Sequence, residues 1–155
     1  MTTQDMIQAM NSFLDDAGIH YEYDAANDTI RFGTKIDGKL SSVRYRIHFN
    51  EEDYVVCVFC PMNASDGVRT EMARYLTMAN YGLRSGNFEM DFRDGEIRYK
   101  VYVDCHGLYD LPEAIVSRSI FVPLHMMERY GDGIAALLMG FSTAEAEIEK
   151  AEKDT

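Results

Sequence analysis

The sequence predicts an α+β fold with a mostly antiparallel sheet, in the order α-β-β-β-β-α-β-β-α. Three observations carry this. A helix-period segment from Val68 to Tyr81 runs straight into the hairpin pattern N-F-E-M-D-F-R-D-G-E-I-R-Y-K-V-Y-V-D. Val43, Tyr45, Ile47 and Phe49 alternate with Arg44, Arg46 and His48, the period of a half-buried strand. Met6, Ile7, Met10, Phe13 and Leu14 form one helical stripe near the start.

In chain order, Thr2 or Thr3 can cap the first helix and Gly18 can close it. Tyr21 and Tyr23 share one face of a short strand, the Ala25-Ala26-Asn27-Asp28 stretch turns, and Ile30 and Phe32 alternate on the returning strand. Gly33 to Ser42 reads as a polar loop turning at Asp37-Gly38. After the alternating third strand, Asn50 to Asp53 reverse the chain. Tyr54 to Cys60 is apolar on both parities, which predicts a central strand at least partly covered on both sides, ended by Pro61. Ser65 or Asp66 should cap the second helix, with Val68, Met72, Tyr75, Leu76 and Ala79 as its apolar stripe and Gly82 as its stop.

The next hairpin turns at Arg93-Asp94-Gly95. Its strands set Phe88, Met90 and Phe92, then Ile97, Tyr99, Val101 and Val103, towards the core. The third helix should open at Asp110-Leu111-Pro112-Glu113, capped by Asp110. Pro123 should kink or break it, and Gly131-Asp132-Gly133 offers a second break. The expected organisation is one domain over residues 1–140 and an acidic tail over 141–155, loosely helical or disordered.

At 155 residues the chain suits one domain and buries enough surface to need no staple. Its net charge of −11 argues against nucleic acid and against anionic membrane surfaces, both of which repel a polyanion. A cationic partner or plain solubility fits that charge better. Three cysteines are too few for a disulfide framework, no apolar run is long enough to span a bilayer, and Met1 to Met10 has no secretory-signal pattern. The expected location is the reducing cytoplasm.

Residues of the second half resemble the YbjN family of bacterial sensory transduction regulators. The resemblance lies in L-T-M-A-N-Y-G-L, S-G-N-F-E-M-D-F-R-D-G-E-I-R-Y-K-V-Y-V-D and D-L-P-E-A-I-V-S, within roughly Phe49 to Met139. It implies a type III secretion chaperone-like fold, with helices packed on one side of the sheet and frequent dimerisation. The family brings no catalytic residues to transfer.

Chemical motifs are scarce. Cys57 and Cys60 have C-x-x-C spacing, and Cys105-His106 would complete a zinc set, but an odd spacing on a strand points the two thiols to opposite faces. The four histidines fall on separate elements, and no G-x-S-x-G elbow or phosphate-binding glycine frame is present. The chain is therefore expected not to be an enzyme and to need no cofactor or metal. By parity, Arg44, Arg46, His48, Arg98, Lys100 and Arg31 share the sheet face away from the core. Such a face could receive an acidic partner segment or the chain's own Glu-rich tail. Cross-strand pairing with Glu22, Asp24, Glu89, Asp91 and Glu96 is the plainer reading and is weighed ahead.

The function these readings favour is a non-enzymatic protein-binding module, chaperone-like or regulatory, acting as a homodimer. Candidate partner-binding residues are Met72, Tyr75, Leu76 and Met78 on the second helix and Arg44, Arg46, Arg98 and Lys100 on the sheet. The alternative is a small-molecule sensor with a pocket between sheet and helices, lined by Tyr21, Tyr45, Tyr99 and methionines.

Overall fold

The computed structural model describes residues 1–153. Helix α1 (Thr3–Asp16) is followed by strands β1 (Glu22–Asp24), β2 (Thr29–Lys35), β3 (Ser42–Phe49) and β4 (Asp53–Phe59). A single 3-10 turn (Asp66–Val68) leads into α2 (Arg69–Asn80), then β5 (Asn87–Met90), β6 (Ile97–Asp104), α3 (Glu113–Leu138) and α4 (Ala144–Glu152). The six strands form one sheet in the order β1-β2-β3-β4-β6-β5, antiparallel at every pairing. The predicted α+β class and element order are present, with α4 as an added helix.

Strand parity divides the sheet into two unlike faces. Ile30, Phe32, Val43, Tyr45, Ile47, Tyr54, Val56, Val58 and Tyr99 are buried on the face that meets the helices. Helix α3 lies closest: the Tyr45 hydroxyl donates to the Ile120 carbonyl at 2.7 Å, and Tyr54 Oη lies 2.9 Å from Ser119 Oγ. Burying two tyrosines costs little when each hydroxyl finds a partner. Phe88 and Tyr130 meet edge to face at 5.6 Å, joining β5 to the far end of the same helix.

Helix α1 starts as expected. Thr2 accepts from the Asp5 amide, and Asp5 accepts from the Thr2 amide, a reciprocal box. Gly18 closes the helix at φ 72°, where a side chain would be strained.

Two expectations about α3 are corrected. Helix α3 runs unbroken through Pro123, Gly131 and Gly133. Proline removes one ladder donor, but Tyr45 and Tyr54 hold the adjoining turn from outside. The two glycines are notches for packing: a Cβ on Gly131 would sit 2.9 Å from Leu40 Cδ1, and one on Gly133 would overlap the Tyr75 ring. Secondly, Asp110 does not cap α3; Pro112 takes the capping position, with no side-chain hydrogen bond. The acidic segment, expected to be loosely helical or disordered, contains α4, capped by Thr143 through the Ala146 amide and docked on α2 and α3. Ala144 is fully buried, and Ile148 and Ala151 pack against the core. Positions 154 and 155, the end of that expected tail, lie outside the described residues.

Candidate functional site

The face of the sheet turned away from the helices carries the concentrated charge. Register aligns its side chains in rows. Gly33, Arg44, Phe59, Arg98 and Glu89 form one row, and Glu22, Arg31, Arg46, Cys57, Lys100 and Asn87 the next. A third row is Asp24, Thr29, His48, Val55 and Tyr102, and beyond it Asp53 lies opposite Asp104. The face is therefore polarised, basic over its first two rows and acidic at the far end. All six basic side chains predicted to share this face do so.

Their partners differ. Glu89 holds both Arg98 and Lys100, at 2.8 Å each. Partial burial alone would raise the Glu89 carboxyl, but hydrogen bonds from Lys100 and Arg98 outweigh it and leave its pKa below the ordinary value. Burial likewise works against the Arg98 charge, and the Glu89 contact overcomes it. These two cations follow the plainer cross-strand reading. Arg31 reaches Asp24 only at 3.9 Å in an exposed setting.

Arg44 and Arg46 make no ion pair among the described residues. Their guanidinium carbons instead lie 5.9 and 5.1 Å from the centre of the Phe59 ring. A cation over an aromatic face is held by the ring quadrupole and keeps its donors free. The two arginines cover the apolar centre of the face, where Cys57 and Phe59 are almost fully buried. This explains why β4 is apolar on both parities: one side meets the helices and the other lies beneath arginine stems.

A groove of about 620 Å³ opens beside this cluster, lined among others by Tyr21, Arg31, Gly33, Arg44, Arg46 and Phe59. The sequence pattern makes Gly33 the start of a loop. It is instead an exposed residue inside β2, opposite Arg44, and contributes no side chain to its row. Phe59 and Gly33 are the site residues that sequence reasoning missed. The available signals were the doubled apolar parity of β4 and a lone glycine inside an alternating pattern.

The helix candidates fall elsewhere. Met72, Tyr75 and Leu76 are closed into the core, and the Tyr75 hydroxyl donates to the Tyr130 carbonyl at 2.8 Å. They are packing residues, not surface contacts; a stripe at helical spacing marks the buried side of α2. Met78 alone keeps partial exposure. Tyr45 and Tyr99, expected to line a pocket between sheet and helices, are core residues whose hydroxyls donate to the carbonyls of Ile120 and Ser85, although Tyr45 also borders the groove on the open face. Among the described residues the Glu-rich tail does not cover the basic face. Helix α4 lies on the helical layer, where Glu145 pairs with Arg74 and the buried Glu147 accepts from Ser142 and Lys150.

The sulfur and imidazole groups stay dispersed. Cys57 lies on the open face, while the Cys60 thiol points into the core 3.8 Å from Met127 Sδ, and burial pushes its pKa up to about 12. Nδ1 of His48 is 3.2 Å from Thr29 Oγ1, and that of His106 is 2.8 Å from Glu52. Among the described residues no group of three or more His, Cys, Asp or Glu side chains could hold a metal ion. No described helix is long and apolar enough to cross a membrane.

Comparison with curated proteins gives no match. The family model of YbjN, described as "Putative bacterial sensory transduction regulator", matches residues 7–135, which span α1 to α3 and every strand of the charged face, so the chain belongs to the YbjN family.

Proposed function

We propose that this chain is a non-enzymatic regulatory module that binds an acidic segment of a protein partner on the open sheet face. The observation that carries the reading is the Arg44–Arg46 pair, exposed and without carboxylate partners among the described residues in a chain of net charge −11. Charges left over after internal pairing are the ones able to steer and hold an opposite charge. The family's regulatory description agrees with a binding role. A chaperone-like action, holding a partner's segment in extended form, is part of the same reading, and so is a cytoplasmic location, which three buried free thiols suit.

The module acts as a homodimer in this reading. Met62, Met139 and Phe141 are exposed around an apolar groove of about 530 Å³ at the end of α3. Phe141 is 80% exposed at the rim of the groove that its neighbours line. A twofold axis would place each Phe141 against the partner's groove, the self-complementary arrangement of an isologous contact.

Sedimentation velocity over a dilution series, with a dye-labelled peptide alternating Thr and Glu, tests both parts. The peptide should co-sediment with the native chain and be lost from the Arg44→Ala/Arg46→Ala variant. Equal binding by that variant would refute the site. A native chain that stays monomeric at every concentration would remove the dimer from the proposal.

A further inference from the structure

We infer that the notch over Gly33 is an anchor pocket for one carboxylate side chain of the partner, clamped between Arg44 and Arg46 above the Phe59 ring. This rests on the sheet-face reading above and adds where on the face specificity resides.

Three features of the groove lead here. First, β2 supplies only backbone at Gly33, between Arg31 on one row and Arg44 across the strand, so a side chain arriving from outside finds space among guanidinium groups. Secondly, Phe59 forms an apolar base, with the Arg44 and Arg46 guanidinium carbons 5.9 and 5.1 Å from its ring centre. Neither guanidinium has an ion-pair partner among the described residues, so both can turn donors to a planar carboxylate, which guanidinium groups recognise in bidentate fashion. Thirdly, Glu22 and Glu96 also line the groove. Arg31 already reaches Asp24 at 3.9 Å, so the donors open to a ligand are those of Arg44 and Arg46, and the two acids limit the groove to a singly charged group. The same two acids disfavour a phosphodiester chain, whose repeated charges would meet them. An aspartate or glutamate side chain in an extended partner segment fits the balance.

Gly33 allows a test that leaves every charge in place. A Cβ there would lie 3.6 Å from the Val43 carbonyl oxygen, an ordinary contact, and its φ is not in the left-handed region, so a valine suits the strand and fills the notch. NMR titration of isotope-labelled protein with an acetyl-(Thr-Glu)3-amide peptide reads the Gly33 amide and the Arg44 and Arg46 Nε–H signals. The Thr-Gln peptide, inorganic phosphate and a single-stranded oligonucleotide are run beside it.

The inference expects these signals to move with the Glu peptide and not with the Gln peptide. Gly33→Val should weaken binding about tenfold or more, and Gly33→Ser by less. Unchanged affinity in Gly33→Val together with loss in Arg44→Ala/Arg46→Ala would overturn the anchor pocket and leave the sheet-face reading standing. Unchanged affinity in all of these variants would overturn both. Tighter binding of phosphate or oligonucleotide than of the Glu peptide at the Gly33 signal would overturn the carboxylate assignment.

Discussion

Substituting Gly133 by alanine sets two elementary effects against each other. In an exposed helix interior, Gly→Ala gains about 1 kcal/mol from backbone entropy. Here the added Cβ would overlap the Tyr75 hydroxyl and lie 2.5 Å from its Cζ and 2.9 Å from its Cε1. Tyr75 has nowhere to move: it is fully buried, donates to the Tyr130 carbonyl at 2.8 Å, and meets the Tyr130 ring edge-on at 6.2 Å. Overpacking of this kind costs about 1–3 kcal/mol. Displacing the hydroxyl from its acceptor adds about 1–3 kcal/mol for a buried unsatisfied group. The net expectation is destabilisation of about 3 kcal/mol, or about 6–12 °C in Tm for a chain of this size. The chain has no tryptophan, so urea unfolding is best followed by far-UV circular dichroism. Tyr75→Phe in the Gly133→Ala background should recover about 1 kcal/mol relative to the sum of the single changes, because it removes the nearest clashing atom. A Gly133→Ala protein as stable as the native chain would show that helix propensity wins, and the notch account of α3 would fail.

Two further outcomes follow from the same geometry. Glu89→Gln should lower stability by about 1 kcal/mol near neutral pH, since the carboxylate joins two partly exposed partners. Because folding depresses the Glu89 pKa, its contribution is present above the ordinary carboxylate value and is lost as pH falls through the folded value, so the stability curves of the native chain and the Glu89→Gln variant should converge in acid. The substitution also frees Arg98 and Lys100, and affinity for the Glu peptide should rise; an unchanged affinity would show that charge on those rows does not reach the partner. Gly95→Ala should cost about 3 kcal/mol or more, read as a fall in Tm. Gly95 has φ 79°, its added Cβ would overlap the Ala64 carbonyl, and its own carbonyl accepts from the Ala64 amide at 2.8 Å. A native-like Tm would refute the pinned turn.

Period and parity made most of the fold legible. Strand alternation at Val43 to Phe49 and at Ile97 to Val103 set both the core side and the charged side, because a strand's geometry leaves its side chains no third option. The α1 stripe and its two ends could be read for the same local reason. Signals whose meaning depends on tertiary neighbours were not readable. Pro123, Gly131 and Gly133 have the composition of helix breakers, and only the presence of Tyr45, Leu40 and Tyr75 beside them turns them into packing positions. The acidic segment after Thr143 reads as loosely helical or disordered, because its polar composition does not say how firmly a helix there is held. It is ordered because Ala144, Ile148 and Ala151 meet α2 and α3 on one side.

The candidate site divides along the same line. Parity placed Arg44, Arg46, Arg98 and Lys100 on one face but could not say which were already spent. That depends on the lateral neighbours that register supplies: Glu89 stands across from Arg98 and beside Lys100, whereas Arg44 faces Gly33 and Phe59, and Arg46 faces Arg31 and Cys57, none of them a carboxylate. Four similar cations thus separate into two that stabilise the sheet and two whose donors stay open. Phe59 makes that second state stable. It gives the arginine stems an apolar surface to cover, so the guanidinium groups are held in place without a carboxylate that a partner would have to displace. In the proposed binding role, a face built this way keeps its charge available, and the cost of holding it in position is met by burial beneath it instead of by internal ion pairs.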